Sequence, residues 1–165
     1  MRPAIATGIT AEDSASLNPL GECDRTLARS LLAHPELKDE RTAVVGLTSG
    51  GPGEGVTTVV VHLAEAVVQV SGRRVLVVET KSSSVAQRLE GESRCGFAEW
   101  MIGEAALGDC ICPSKVPGVS LLARGQQQGV DGQTLDRARL ETLVDETRSE
   151  FGLVLFDLPN LSESE

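Results

Sequence analysis

Tyrosine is absent from this sequence of 165 residues, and aromatic residues in general are scarce, with one Trp and three Phe. Hydrophobic residues nevertheless make up 41% of the chain, which is an ordinary share for a globular protein. A chain of this length is expected to form one domain around a single sizeable core. That core must be built mainly from aliphatic side chains.

Positive charge is also in short supply, because 15 Lys and Arg stand against 24 Asp and Glu, for a formal net charge of −9. Phosphate surfaces select for clustered positive charge, so this balance argues against binding to nucleic acids and anionic membranes. The longest apolar candidate, residues 59–70, is interrupted by His62, Glu65 and Gln69 and falls short of the ~18 residues of a membrane span. No signal peptide is recognisable either, so we expect a cytoplasmic protein without direct membrane insertion.

The four cysteines, Cys23, Cys95, Cys110 and Cys112, are too few and too irregularly spaced for a disulfide framework. The close pair Cys110 and Cys112 leaves two interpretations, half of a metal site or ordinary reduced thiols. Because no second Cys or His pair stands at ligand spacing, reduced thiols are favoured.

The order of apolar patterns predicts the fold class. Residues 1–21 lack periodicity and indicate a loose N-terminal arm, whereas residues 22–165 are expected to form the domain. Continuous apolar runs predict strands at 43–48, 74–79, 119–122 and 153–156, and helical spacing predicts helices from residue 24 and over 56–70, 84–90, 96–107 and 135–150. The predicted strands are hydrophobic throughout and do not alternate apolar with polar residues, and along the chain they alternate with helices. This pattern indicates an α/β fold with a doubly wound parallel sheet.

A glycine-rich segment, residues 48–58, lies between the first of these strands and its helix. Such a turn lets successive backbone N–H groups converge on a phosphate, and the helix N-terminus adds positive potential. Gly50 and Gly55 have the spacing of the G-x-x-x-x-G-K-[ST] phosphate loop, and Thr57 supplies the hydroxyl. Val56 stands where that pattern has its lysine.

The run Thr48-Ser49-Gly50-Gly51-Pro52-Gly53-Glu54-Gly55-Val56-Thr57-Thr58 resembles the T-S-x-x-P-G-E-G-K-S-T loop of the bacterial tyrosine kinases of capsule and exopolysaccharide systems. Those kinases are a branch of the MinD/ParA-like P-loop ATPases. The resemblance extends through Gly72 to Glu79, which is similar to the family's G-x-x-V-L-L-I-D, and through Phe156-Asp157-Leu158-Pro159, similar to I-D-x-P-P. It covers roughly residues 22–160.

This resemblance implies a P-loop NTPase-like fold that is truncated at the C-terminus, because the family continues beyond Asp157 with further strands and the loop that holds the nucleotide base. It also implies ATP and Mg²⁺ as ligands. The implied nucleotide-binding residues are Gly51, Gly53, Glu54, Gly55, Val56, Thr57 and Thr58. Thr57 and Asp157 would hold Mg²⁺, and Glu79 keeps a carboxylate at the catalytic position. We expect Asp157 beside Thr57, because ligand crevices form at the carboxyl ends of parallel strands.

Three departures from the family oppose catalysis. Val56 replaces the loop lysine, Lys81 reverses the charge of the second acid in the family's D-x-D, and no Tyr is present for autophosphorylation. Losing a charge-assisted hydrogen bond to phosphate costs ~1.5–3 kcal/mol of binding, whereas one preorganised donor is worth ~10²–10³ in rate. Turnover therefore suffers more than binding, unless Lys81, Arg73, Arg74 or a neighbouring subunit supplies the cation.

The family assembles into rings through a helix that carries E-x-x-R-x-x-R. Glu22 and Arg25 match its first two positions, Ala28 replaces the third, and Arg29 comes one residue late. The implied partners are a membrane-bound polysaccharide co-polymerase or a homologous kinase subunit, which would place the protein at the inner membrane as a peripheral protein. The alternative is an ordinary amphipathic helix with exposed charges.

Three functional hypotheses follow from these residues. The first is a regulatory or scaffolding pseudoenzyme with weak or no nucleotide binding, and the second is an active ATPase or protein kinase with a rearranged cationic residue. The third, a MinD/ParA-like positioning ATPase, is less favoured because no lysine occurs between Lys38 and Lys81. His34 and His62 join no nucleophilic or metal-binding set.

Overall fold

A computed structural model describes residues 4–6, 20–38, 42–81, 84–91, 93–127 and 137–160. Its strands are β1 (Ala4–Ala6), β2 (Ala43–Leu47), β3 (Val75–Glu79), β4 (Ile111–Pro113), β5 (Val119–Leu122) and β6 (Leu153–Asp157). Its helices are α1 (Glu22–Leu32), α2 (Pro35–Lys38), α3 (Val56–Ser71), α4 (Ser84–Leu89), α5 (Phe97–Met101), α6 (Leu107–Cys110) and α7 (Arg137–Thr147). None of these helices is both long and apolar enough to cross a membrane.

The six strands form one sheet in the order β1-β2-β6-β3-β5-β4. All neighbouring pairs are parallel except β4 and β5, which are antiparallel. The last residue of β6, Asp157, is in register with Leu47 at the end of β2 and with Glu79 at the end of β3. The chain therefore leaves these three central strands at one side of the sheet, which we call the carboxyl edge.

Aliphatic side chains cover both faces of the sheet. On one face, Val45, Val77 and Leu155 belong to a buried cluster that includes residues of α1, α3 and α4. The other face carries a second buried cluster, to which α5, α6 and α7 contribute. Because both faces of the sheet are buried, the side chains on both sides of each central strand are hydrophobic. The predicted α/β fold with a doubly wound, mainly parallel sheet is confirmed.

Four details differ from the sequence-based prediction. Ala4–Ala6 pairs with β2 as an edge strand, although it lies in the stretch interpreted as a loose arm; residues 7–19 lie outside the described ranges. β4 was not predicted, since three residues ending in proline carry little strand signal. The helix predicted over 96–107 is two short helices, because Gly103 adopts a left-handed conformation with φ 78° after α5. The last predicted helix is shorter, at 137–147, and residues 135–136 lie outside the description.

Candidate functional site

The glycine-rich loop connects β2 to α3 at the carboxyl edge. Gly53 and Gly55 have φ values of 79° and 77°, in the left-handed region that favours glycine, and Gly55 is the N-cap of the 16-residue helix α3. The Gly50 N–H donates to Glu54 Oε2 at 3.1 Å, and the Ser49 hydroxyl donates to the Gly51 carbonyl at 2.8 Å. A loop of this kind, opening a long helix, has the backbone of an anion-binding site.

The segment after β6 anchors the start of the loop. The Thr48 hydroxyl donates to the Pro159 carbonyl at 2.6 Å, and the Leu158 N–H donates to the Leu47 carbonyl at 2.9 Å. A Cβ added at Gly46 would lie 2.7 Å from Leu158 Cδ1, so the Leu158 side chain covers the Gly46 backbone and would have to shift for a larger residue there. The glycine loop and the Phe156-Asp157-Leu158-Pro159 run thus form one structural unit.

Thr57 and Asp157 meet at this edge. The Thr57 hydroxyl donates to Asp157 Oδ2 at 3.0 Å, and it also lies 3.4 Å from the Ser84 hydroxyl. The predicted adjacency of Thr57 and Asp157 is therefore confirmed. Their assignment as metal ligands remains a prediction.

Lys81 completes the arrangement. Its Nζ lies 3.6 Å from Asp157 Oδ1, the carboxylate oxygen that Thr57 does not contact. The Asp157 side chain is fully buried, whereas 24% of the Lys81 side chain is exposed. Burial raises the pKa of Asp157, and the Lys81 charge and the Thr57 hydrogen bond offset part of that rise.

Val56 turns toward the interior and leaves the helix N-terminus without a side-chain charge. The residue is half-buried and packs against the cluster between α3 and the sheet. At the equivalent position of a standard phosphate loop, a lysine reaches the β- and γ-phosphates. The first turn of α3, which also contains Thr58, has neither an acidic nor a basic side chain.

Two of the three cations that we considered as replacements lie elsewhere. Arg74 pairs with Glu150 at 2.8 Å and its guanidinium lies 5.1 Å from the centre of the Phe151 ring. Arg73 packs beside Gly152, next to Arg74. Both precede β3, so the five-residue length of that strand, about 16 Å at ~3.3 Å per residue, separates them from the carboxyl edge. The proposal of a replacement by Arg73 or Arg74 was wrong, and Lys81 is the one of the three that reaches the edge.

Glu79, the candidate catalytic carboxylate, has no exposure to solvent. Its Oε1 accepts the Val85 N–H at 2.7 Å at the start of α4, and its Oε2 has no hydrogen-bond partner. Burial raises the pKa of Glu79 to about 7, against the opposing effect of backbone N–H donors, and the Asp157 charge raises it further. Glu79 also lines a cavity of about 410 Å³ together with Cys95 and Arg124.

The cysteines are arranged differently from the pairing considered above. Cys110 Sγ lies 2.6 Å from Cys95 Sγ, whereas Cys112 Sγ faces the Leu121 carbonyl at 3.6 Å. The idea that Cys110 and Cys112 act together is therefore wrong. Within the described ranges no group of three or more His, Cys, Asp or Glu side chains could hold a metal ion.

One buried polar contact was missed by the sequence reasoning. Glu99 accepts N–H groups from Gly96 at 2.8 Å, Gln126 at 2.8 Å and Gln127 at 3.0 Å, which joins α5 to the segment after β5. Burial opposes ionisation, but these donors outweigh it and hold the pKa of Glu99 below its ordinary value. The three-residue separation of Gly96 and Glu99 at a helix start is the available sequence signal. No comparable sequence signal predicts the left-handed conformation of Gly125, which has a φ of 87°.

His62 packs between α3 and α1, with Nδ1 3.6 Å from Asp24 Oδ1 and a side chain 15% exposed. On the outer face of α1, Glu22 contacts Arg29 at 3.0 Å and Arg25 at 3.8 Å. Ala28 is fully buried, so the residue at the third family position faces the core. Arg29, one residue later, lies with Glu22 and Arg25 on the exposed face.

A mainly parallel sheet, with a glycine loop between a strand and a long helix and an acidic residue on the adjacent strand, defines the P-loop NTPase-like class. The comparisons with known proteins then relate this chain to the bacterial tyrosine-protein kinases, within the wider MinD/ParA-like group. No protein-family model matches the chain.

Among curated proteins, the chain is 28% identical over 125 residues to EpsB of Ralstonia nicotianae, a provisionally assigned tyrosine-protein kinase. It is 22% identical over 126 residues to the tyrosine-protein kinase CpsD of Streptococcus agalactiae. These alignments cover 74% and 75% of the chain, but only 16% of EpsB and 55% of CpsD. The chain thus spans a minor part of the first relative and about half of the second.

Solved structures agree with this relationship. The kinase domain of VpsO superposes with a TM-score of 0.66 at 27% identity, covering 82% of this chain and 66% of that domain. The kinase domain of the Escherichia coli tyrosine kinase ETK gives a TM-score of 0.72 at 24% identity, covering 84% and 54%. MinD from Pyrococcus horikoshii, solved in complex with Mg-ADP, gives 0.58 at 25% identity, covering 72% and 49%. These solved structures therefore share the fold of this chain, and one of them holds Mg-ADP.

Proposed function

We propose that this chain is a degenerate P-loop domain that acts as a regulatory or scaffolding pseudoenzyme beside the tyrosine kinases of polysaccharide biosynthesis and export. The observation that carries this proposal is the charge arrangement at the carboxyl edge. Val56 leaves the loop without its lysine, and Lys81, a cation at that edge, is paired with Asp157. The loop backbone is retained, but the charges that phosphoryl transfer needs are not arranged around it.

Weak nucleotide binding without turnover is the expected activity. Backbone N–H groups and the α3 N-terminus still attract phosphate, so some binding survives the loss of the lysine. Transfer needs further groups that stabilise the developing charge and position the nucleophile. Glu79, the retained carboxylate, has no exposure to solvent, and its Oε1 accepts the Val85 N–H rather than a group of the glycine loop.

Titration of a fluorescent ATP analogue in the presence of Mg²⁺, together with a phosphate-release assay, tests this proposal. We expect weak binding that unlabelled ATP displaces, and no phosphate release above a protein-free control. Low-micromolar affinity with steady release would instead establish the second hypothesis, an active ATPase or kinase in which Lys81 is the rearranged cation. A Lys81→Met variant would then lose that release.

The partner surface in this proposal is the exposed face of α1. Glu22, Arg25 and Arg29 have side-chain exposures of 72%, 37% and 59%, and their mutual contacts leave them accessible. We assign this face to a second copy of the chain or to a homologous kinase subunit, with a membrane-bound polysaccharide co-polymerase as the further partner. Association of this kind would hold a cytoplasmic protein at the inner membrane.

Sedimentation velocity over a concentration series checks the self-association. We expect Arg25→Glu combined with Arg29→Glu to shift the protein toward the monomer. Arg148→Glu is the control away from α1, because Arg148, which follows α7, is also exposed and pairs with a neighbouring carboxylate, Asp145. Equal sedimentation of all three proteins would remove α1 from the proposal.

A further inference from the structure

The negative charge of Asp157 is already balanced by a group of the chain itself. One carboxylate oxygen accepts the Thr57 hydroxyl at 3.0 Å, and the other faces Lys81 Nζ at 3.6 Å. Asp157 is completely buried and most of the Lys81 side chain is covered. The Lys81 ammonium group therefore contacts Asp157, the carboxylate that a divalent cation in this class of site would need as a ligand.

A divalent cation fits this arrangement poorly. Mg²⁺ needs oxygen ligands in near-ideal octahedral geometry and is usually held by one or two carboxylates. Here Asp157 is the carboxylate next to Thr57, and a cation between them would lie within a few ångströms of the Lys81 charge. Repulsion at that distance is strong where burial excludes water. Glu79, the neighbouring carboxyl group, is turned to the Val85 N–H.

We propose that the Lys81 ammonium takes the place of the divalent cation at the Thr57–Asp157 pair, so that this site excludes Mg²⁺ and its loop binds polyphosphate independently of Mg²⁺. The proposal deepens the function proposed above and rests on it for the retained phosphate loop. Lys81 thereby becomes the residue that determines the cation specificity of the site. Val56 at the lysine position of the loop and Lys81 after β3 are then two parts of one change, since Lys81 supplies the positive charge that the loop position lacks.

Metal binding can be measured without nucleotide. Mn²⁺ titrations followed by electron paramagnetic resonance should show no saturable site in the wild-type chain that depends on Asp157. Lys81→Asp should create such a site, with an affinity at least about tenfold above the weakest that the titration detects, because it adds a second carboxylate and removes the competing charge. Lys81→Met, which keeps the length without the charge, should gain a smaller part of that affinity.

A matched control is Lys115→Asp. Lys115 pairs with Glu90 at 2.8 Å and lies in the turn between β4 and β5, at the opposite side of the sheet from Asp157. It makes the same change in net charge without touching the site, so its Mn²⁺ titration should match wild type. Circular dichroism of each variant checks that it is folded. If a variant does not fold, the wild-type titration still tests whether the site excludes the divalent cation.

The second measurement is the affinity for the fluorescent ATP analogue with excess Mg²⁺ and with excess EDTA. We expect the two wild-type dissociation constants to agree within about twofold, and Lys81→Met to weaken binding in EDTA by about tenfold or more. Saturable Mn²⁺ binding by wild type that Asp157→Asn abolishes would overturn the inference. Nucleotide binding that requires Mg²⁺, or no nucleotide binding in either condition, would also overturn it. Phosphate release bears only on the proposed function, so the two failures are distinguishable.

Discussion

Glu79 and Asp157 lie directly opposite each other on adjacent parallel strands, and neither side chain is exposed to solvent. Burial raises the pKa of both carboxyl groups. Asp157 is stabilised in its charged form by Lys81 and Thr57, whereas at Glu79 the effect that opposes burial comes from backbone N–H donors. The folded protein therefore keeps a proton at Glu79 at pH values where the unfolded chain has lost it.

The stability of the protein should fall as the pH rises through the range set by Glu79. The folded pKa of about 7 lies above the ordinary 4.5, so the stabilisation is complete below pH 4.5 and is lost toward pH 7. A difference of this size corresponds to roughly 3 kcal/mol at 1.36 kcal/mol per pKa unit. Urea unfolding of wild type and Glu79→Gln across this range measures it. Wild type should lose stability relative to Glu79→Gln as the pH rises, and parallel pH profiles would contradict the prediction.

Gly125→Ala should destabilise the fold by about 2 kcal/mol or more, because it combines backbone strain with a steric clash at a buried charge. Gly125 has a φ of 87°, and an added Cβ would overlap the Glu99 carboxylate. Glu99 would then lose its hydrogen bonds to the Gly96 and Gln126 N–H groups. Thermal and urea unfolding measure the effect.

Gly108→Ala is the control for that substitution. Gly108 lies in α6, and an added Cβ would meet nothing within 4 Å. Alanine is the better helix former, so the control should leave stability unchanged or raise it slightly. Equal destabilisation by both substitutions would show that the Glu99 contact is unimportant.

Cys95 and Cys110 should form a disulfide when the protein is treated with diamide, a two-electron oxidant that is reduced as both thiols lose their hydrogens. Their sulfur atoms are 2.6 Å apart. Burial, then the neighbouring Cys95, raises the pKa of the Cys110 thiol to about 12, so spontaneous exchange at neutral pH should be slow. The intact mass should fall by the mass of two hydrogens. The free energy of unfolding should rise by about 3 kcal/mol for a closed loop of this length.

The cysteine substitutions separate this pair from the other thiols. Cys95→Ser should abolish the intramolecular crosslink, whereas Cys112→Ser should not, because Cys112 faces the Leu121 carbonyl. A crosslink that survives Cys95→Ser would mean that the buried thiols rearrange. The cavity containing Cys95 and Glu79 would then be more mobile than this fold indicates.

The central sheet was predictable from sequence because its strands are continuous aliphatic runs with strong local signals. The same holds for α3, which begins after the glycine loop and ends at Gly72 in the left-handed conformation. The split between α5 and α6 was not predictable from periodicity, since it depends on the backbone conformation of Gly103. Short elements such as β4 exist only through their pairing partners, which local sequence does not reveal.

The candidate site divides in the same way. The neighbourhood of Thr57 and Asp157 follows from parallel-sheet topology, which brings strand ends together. The position of Lys81 depends on how the chain turns after β3, so the sequence left Lys81, Arg73, Arg74 and a basic group of a neighbouring subunit as candidates for a replacement cation. The fold separates them, because Arg73 and Arg74 precede the strand and Lys81 follows it. The proximity of Cys95 to Cys110 likewise depends on a tertiary contact, between the segment before α5 and the end of α6.

Val56→Lys separates a phosphate loop that lacks one charge from a loop that no longer binds phosphate at all. Val56 is the first residue of α3 and only half-buried, so a lysine can extend its ammonium group toward the loop while its stem covers the same surface. If the backbone is preformed, the fluorescent ATP analogue should bind more tightly by ~1.5–3 kcal/mol, about tenfold to a hundredfold. Val59→Lys, one turn into the same helix, is the matched control and should give no such gain.

Hydrolysis should not follow from Val56→Lys alone. Lys81 still faces Asp157 at 3.6 Å, at the position where the resemblance implies a second acidic residue, so metal binding and positioning stay incomplete. We expect the additional change Lys81→Asp to be needed for even slow phosphate release. Strong phosphate release by Val56→Lys would show that the rest of the site is catalytically competent and would favour the hypothesis of an active ATPase or kinase. Unchanged affinity for the ATP analogue would show that the glycine loop has only a structural role, because the added lysine would then have no bound phosphate to contact.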